Sequence, residues 1–288
     1  MADSTVDSAK TFSLLSIGQR GVGKTVFMAG SYAELQTSGR SRRPNELWFD
    51  CQDDVSRQNI DNILNYIKRN GQYPPPTMRI TNFSFSLKQN RRWRSQILCN
   101  FRWYDLPGEV CTGLNTDFRE IVLSSHGCCA FIDAYAIVYD PDYLRGLVDI
   151  ISQVLSIASL VSLNKLDYAF ALVFTKCDLF KPGTLRREQL DHNLRHLILR
   201  LDGMRLNYEV FYSMIPITPQ SGGYALNGVG GAEPILWLVQ QLNRVHNSGL
   251  LNGLNNLVQH FLLGRPSTNS LQEGPLNGLF RAGNNRFR

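Results

Sequence analysis

The chain has 288 residues, of which 43% are apolar and 19% charged, a composition that excludes intrinsic disorder, a collagen-like fibre and a disulfide-held miniprotein. Its 30 basic and 24 acidic residues give a net charge of +6, less than nucleic-acid-binding proteins usually carry. The basic residues divide into 23 arginines and seven lysines, so a lysine inside a motif is a scarce residue.

The first ten residues, MADSTVDSAK, are polar and acidic and have neither the basic nor the apolar region of a secretory signal. They read as a disordered N-terminus. Six cysteines, Cys51, Cys99, Cys111, Cys128, Cys129 and Cys177, contain no CxxC pair. That argues against a zinc ribbon or a redox dithiol and fits reduced thiols in a cytoplasmic protein.

Residues 12–17, FSLLSI, form a strand-like run that ends at Gly18, and GQRGVGKT follows through Thr25 before the helix-compatible VFMAGSYAELQ. This is strand, GxxxxGK[ST] loop, helix. In such a loop the backbone N–H groups close around phosphates, and the following helix adds its positive N-terminal end. Gly18, Gly21, Val22, Gly23, Lys24, Thr25 and Val26 are therefore candidate nucleotide-binding residues. Lys24 is expected to reach the β and γ phosphates and to stabilise transferred charge, and the Thr25 hydroxyl to bind Mg²⁺. The plain alternative is a tight glycine turn after a strand.

Residues 39–75 hold the basic SGRSRRP, the apolar LWF and the helix-like VSRQNIDNILNYIKRN. Thr77 then follows PPP and precedes a strand-like run at 79–88, the position of a loop threonine that completes a Mg²⁺ shell; Thr81 is the alternative. KQNRRWRS reads as a hairpin turn into a second run at 97–105. Arg91, Arg92, Trp93 and Arg94 would stack on a nucleic acid, but an ordinary basic hairpin tip accounts for them as well, and nucleic-acid binding is not expected.

The run at 97–105 ends in Asp105-Leu106-Pro107-Gly108, with Glu109 next. A carboxylate at the end of a core strand can hold Mg²⁺ through a water, and the Gly108 N–H can bond a γ-phosphate oxygen. The rival reading is a Pro-Gly turn. Another strand-like run is read at 134–140. Residues 150–163 carry no charge but number too few to span a bilayer, so they read as a packed amphipathic helix.

After a strand-like run at 169–174 come Thr175, Lys176, Cys177 and Asp178. A carboxylate here can accept from both N1–H and N2–H₂ of guanine, a donor pair that adenine lacks. The Lys176 stem would lie over the base plane. His192 and His196, four apart in EQLDHNLRH, read as a solvated helix face rather than a metal site. A last strand is read at 210–217, followed by ITPQSGG with Thr218 as a guanine contact. Residues 246–264 lack Asp, Glu, Lys and Arg, and leucines form a helical stripe over 247–264. This amphipathic helix is expected to dock on the body of the protein, with a partner or membrane surface as the alternative. Residues 265–288 read as a flexible tail.

Taken in order, GQRGVGKT, Thr77, DLPGE and TKCD resemble the translation-factor-related (TRAFAC) class of P-loop GTPases over residues 11–246. RGVGKTVFMAGSYAEL, PPPT and DLPGE further resemble bacterial double-GTPase-type domains of predicted conflict and signalling systems. The resemblance implies an α/β fold, a mostly parallel sheet with helices on both faces and the nucleotide at the carboxyl ends of the strands. It also implies bound GTP or GDP with Mg²⁺, slow hydrolysis and protein effectors or regulators. The chain departs from the pattern in four places. Arg20 stands where related switches carry glycine, so it either obstructs an incoming arginine or approaches the γ-phosphate in cis. Glu109 replaces a water-orienting Gln, ITPQSGG replaces a Ser-Ala-Lys-like turn, and the 39–75 segment is an insertion. The rival functions are a non-hydrolysing GTP/GDP-binding adaptor and a P-loop ATPase or nucleotide kinase.

Overall fold

The computed structural model describes residues 9–39, 47–75, 81–90, 95–106, 116–180 and 187–246. The strands of its main sheet are β1 (Thr11–Ile17), β2 (Leu47–Cys51), β3 (Thr81–Asn90), β4 (Ser95–Asp105), β5 (Gly127–Asp133), β6 (Ala169–Thr175) and β7 (Asn207–Tyr212). They lie in the order β2-β3-β4-β1-β5-β6-β7. From β4 to β7 every neighbouring pair is parallel, whereas β3 runs antiparallel to both β4 and β2. A separate two-stranded hairpin comprises β8 (Ile217–Gln220) and β9 (Gly223–Leu226).

Strands β5 and β6 are buried at every position, which requires cover on both sides of the sheet. Their residues alternate accordingly. Cys129, Phe131, Ala171 and Val173 enter one core, with α1 (Lys24–Gly39), α2 (Asp54–Asn70) and α7 (Ala232–His246). Cys128, Ala130, Phe170 and Leu172 enter the other, with α3 (Thr116–Leu123), α4 (Ala134–Tyr139), α5 (Pro141–Leu163) and α6 (Arg187–Gly203). This is a mixed α/β fold, a mostly parallel sheet covered by helices on both faces.

Under the first turn of α1 lies an aromatic cluster. Phe27 packs edge-on to Phe131 at 4.8 Å between centroids and stacks with Trp103 at 6.1 Å, and all three are fully buried. Burial of each such side chain contributes about 1.5–3 kcal/mol. The cluster joins the helix start to the centre of the sheet. At the far end of the chain, the Glu34 carboxylate on α1 accepts from the N–H groups of Gly231 and Ala232 at 3.0 and 2.9 Å. It thus caps the positive N-terminus of α7.

Three elements differ from the sequence reading. Residues 134–140 do not form a strand, because the Asp133 side chain accepts from Ala136 N–H at 2.9 Å and starts α4. Asp140 then caps α5 by accepting from Asp142 and Tyr143 N–H, and Pro141 suits the first helical turn. The strand is the preceding GCCAFID. Helix α5 runs for 23 residues and begins nine residues before the uncharged stretch at 150–163, because Asp142, Arg145 and Asp149 lie on exposed positions of its first half. By length and composition it is long and apolar enough to cross a membrane; in this fold Leu147, Ile150, Val154, Ile157 and Val161 are buried in the core. Finally, β7 ends at Tyr212 rather than at 217.

Of the segments read from sequence, 47–75 within the insertion forms β2 and α2. Asp53 caps α2 by accepting from Ser56 N–H at 2.7 Å. Thr77, Gly108, Glu109, the tip residues 91–94, the proposed helix at 247–264 and the tail lie outside the described residues.

Candidate functional site

Strand β1 delivers the chain to the loop at the carboxyl edge of the sheet. Gly18, Gly21 and Gly23 all have positive φ, at 149°, 77° and 100°. Gly18 has a second constraint: a Cβ there would stand 2.7 Å from the Phe131 carbonyl oxygen, so only glycine lets the loop leave β1 beside β5. The Lys24 ammonium donates to the Gly18 carbonyl at 3.0 Å and to that of Gln19 at 3.5 Å. Phe27 N–H donates to the Gly23 carbonyl at 2.8 Å, so the helix is under way within a turn of the loop.

Strand β4 is the parallel neighbour of β1, with Ser16 opposite Asp105 in register. The Asp105 carboxylate accepts from the Thr25 hydroxyl at 2.6 Å and from the Ser16 hydroxyl at 3.4 Å. Burial pushes this carboxyl up from its ordinary value, while Thr25, the Lys24 charge and Ser16 oppose the shift. The result is a hard oxygen set, one carboxylate and one hydroxyl, beside a cation. Such a set fits a small divalent ion of the Mg²⁺ type.

Strand β6 brings up TKCD. The Thr175 hydroxyl donates to the Val22 carbonyl in the loop at 2.8 Å and to the Ile132 carbonyl at 3.3 Å. Lys176 adopts the left-handed conformation with φ of 57°, and its ammonium pairs with the Asp133 carboxylate at 2.5 Å. A short 3₁₀ turn, Cys177–Leu179, follows. Cys177 N–H donates to the Ser213 carbonyl at 3.3 Å and Ser213 N–H to that of Phe174 at 2.7 Å, which ties the end of β7 to the end of β6.

These elements surround one cavity of about 410 Å³, within the usual range for a small-molecule site. Arg20, Gly21, Val22, Gly23, Lys24, Thr25, Val26 and Asp105 line it, and so do Thr175, Lys176 and Asp178. The two sequence motifs, more than a hundred residues apart, therefore face one space. Gly18 contributes its carbonyl to Lys24 but is not part of the wall.

Thr218 is a correction. It sits on β8 opposite Ala225 and does not line the cavity; because β7 ends at Tyr212, Ser213 and Ile215 line it instead. Ser213 is 1% exposed, and its hydroxyl has no hydrogen-bond partner among the described residues. Buried hydroxyls are normally paired, and this one, on a residue of the cavity wall, is an exception. Sequence reasoning also passed over Asp133, Ser16 and Tyr73. Asp133 closes an apolar strand, as Asp105 does, and that shared position was the available signal.

The fold and the cavity define an α/β protein with a phosphate-type loop at the carboxyl edge of a mostly parallel sheet. No family model matches the sequence, and no curated protein matches it. Among solved structures, the signal recognition particle receptor SRb-GTP/SRX complex from Chaetomium thermophilum is similar, at 17% identity over 73% of this chain and 94% of that chain, with a TM-score of 0.41.

Proposed function

We propose that the chain is a Mg²⁺-dependent guanine-nucleotide-binding protein that hydrolyses GTP slowly and acts as a nucleotide-controlled switch in the cytoplasm, in the manner of the signalling and defence GTPases its motifs resemble. The observation that carries this reading is the single cavity lined both by Lys24, Thr25 and Asp105 and by Lys176 and Asp178. A triphosphate at the loop end leaves the base beside TKCD.

In this reading Gly21, Val22, Gly23 and Val26 wrap the phosphates, and Lys24 leaves the Gly18 carbonyl to meet the β and γ phosphates. Thr25 and Asp105, with Thr77, would hold Mg²⁺, which supplies neutralisation of phosphate charge. Thr175 fixes the loop by its bond to Val22. Lys176, held by Asp133, covers the base, and Asp178 selects guanine. Ser213 replaces Thr218 as the polar contact from the last strand. Gly108 senses the γ-phosphate, and Arg20 and Glu109 stand at the hydrolytic end. Release of the γ-phosphate frees the segments around Thr77 and Gly108, and the change is read by protein effectors.

Titration calorimetry with GTP, GDP and ATP in the presence of Mg²⁺, followed by phosphate release from GTP, tests the proposal. Guanine-selective binding with slow turnover is expected. Equal binding of ATP would transfer the chain to the ATPase or kinase class, and binding without turnover would make it an adaptor.

A further inference from the structure

Helix α2 ends at Gly71, which is left-handed with φ of 63° and whose N–H donates to the Ile67 carbonyl at 2.8 Å. Neither this turn nor its neighbour has room to spare. A Cβ on Gly71 would meet the Tyr224 ring at 2.8 Å, and one on Gly223 would stand 2.4 Å from the Lys68 carbonyl oxygen. The β8–β9 hairpin is therefore seated on the last turn of α2. That hairpin continues directly from the Ser213–Ile215 stretch that lines the cavity.

Two residues beyond Gly71 the chain crosses to the cavity. The Tyr73 hydroxyl donates to the Ile215 carbonyl at 3.0 Å, linking positions 142 residues apart. Tyr73, Pro74 and Pro75 line the same space as Lys176, Asp178 and Ile215. The prolines lack an N–H to satisfy and have a fixed φ, so the strap is stiff. Burial, and after it the Asp178 carboxylate, pushes the Tyr73 phenol up from its ordinary value, which agrees with the strap lying beside the residue proposed to select the base.

We propose that Tyr73 is a positioning residue: its hydroxyl bond to the Ile215 carbonyl holds the Tyr73–Pro75 strap across the base end of the cavity and sets how long a guanine nucleotide stays bound. The proposal rests on the guanine-nucleotide reading above. The strap has two attachments, one in the cavity at Ile215 and one outside it where Gly71 meets Tyr224. Nucleotide leaves by the base end once the cavity attachment opens. A factor that moves α2 or the hairpin acts on the same step from outside, so this insertion-derived unit is where exchange is controlled.

The test is the dissociation rate of a fluorescent GDP analogue, chased with excess GDP, beside the affinity for inorganic tripolyphosphate, which occupies the loop end alone. Tyr73→Phe removes only the hydroxyl bond and is expected to speed dissociation about 3–10-fold. Tyr73→Ala should speed it further, with tripolyphosphate affinity unchanged in both. Gly71→Ala, which displaces Tyr224 without touching the cavity, should act in the same direction. Parent-like dissociation in both Tyr73 variants, or a parallel loss of tripolyphosphate affinity, would overturn the strap. Failure of the parent chain to bind the GDP analogue while still binding tripolyphosphate would overturn the guanine reading, and the strap with it.

Discussion

The Thr25 hydroxyl donates to the Asp105 carboxylate at 2.6 Å across 80 residues of sequence. One residue lies in the first turn of helix α1 and the other ends strand β4, so the bond joins helix start and sheet at the place where a divalent cation is expected. Removing the hydroxyl leaves a buried carboxylate short of a donor and takes one oxygen from the ion. Thr25→Ala should weaken Mg²⁺-dependent GTP binding about 10–100-fold, while Thr25→Ser should keep most of it. Calorimetric titration of GTP at several Mg²⁺ concentrations measures both. Equal affinity of Thr25→Ala and the parent would remove Thr25 from the site.

Asp178 shares the cavity wall with Lys176 and Ser213. In the proposed function it accepts from two guanine donors, and the discrimination against adenine falls to it. Asp178→Asn should lower GTP affinity about 10–100-fold through loss of charge-assisted bonds and leave ATP affinity as it was. Competition between the two nucleotides for a fluorescent analogue reads the ratio directly. An unchanged ratio would count against base selection by this residue.

Two glycine substitutions should have opposite signs. Gly18→Ala places a methyl group 2.7 Å from the Phe131 backbone oxygen at a positive φ, and neither the strand nor the loop can yield cheaply. A loss of about 1–3 kcal/mol is expected. Gly203 ends α6 with open space around it, so Gly203→Ala should gain about 0.4–1 kcal/mol by restricting the unfolded chain. Urea unfolding of the two variants against the parent provides the comparison.

Glu233 lies in the first turn of α7, and burial raises its carboxyl from the ordinary value. The folded state therefore holds this proton more tightly than the unfolded state does. Stability is lost as pH rises from the unfolded value of about 4.3 through the raised folded value. Glu233→Gln removes that loss, so its melting temperature relative to the parent should increase between pH 4 and pH 7.5. A constant difference across this range would show that the carboxyl does not titrate differently on folding.

The phosphate loop and TKCD were legible in the sequence because each needs several residue types at set spacing, and the fold brings them to one cavity. Strand β5 was not. GCCAFID is rich in small residues and cysteine, with little β-branched character, whereas AYAIVY looks strand-like until Asp133 and Asp140 are recognised as caps. The same effect displaced the last contact: VFYSMIPI is apolar apart from Ser213, and that one serine does not announce that the ladder stops at Tyr212. Tyr73 was invisible for another reason. Its partner Ile215 lies 142 residues away and contributes a backbone carbonyl, which every residue has.

The bond from Thr175 to the Val22 carbonyl has a consequence for the order in which the protein is made. The GxxxxGKT loop leaves a ribosome before β6 does, yet its backbone is fastened by a residue synthesised 153 positions later. Ser213, which ties β7 to the end of β6, emerges later still. A nascent chain that stops short of Ser213 carries the GxxxxGKT sequence without the framework that shapes it. If the proposed function holds, competence for nucleotide arrives late, and the nucleotide can stabilise only chains in which the sheet is already built out to β7.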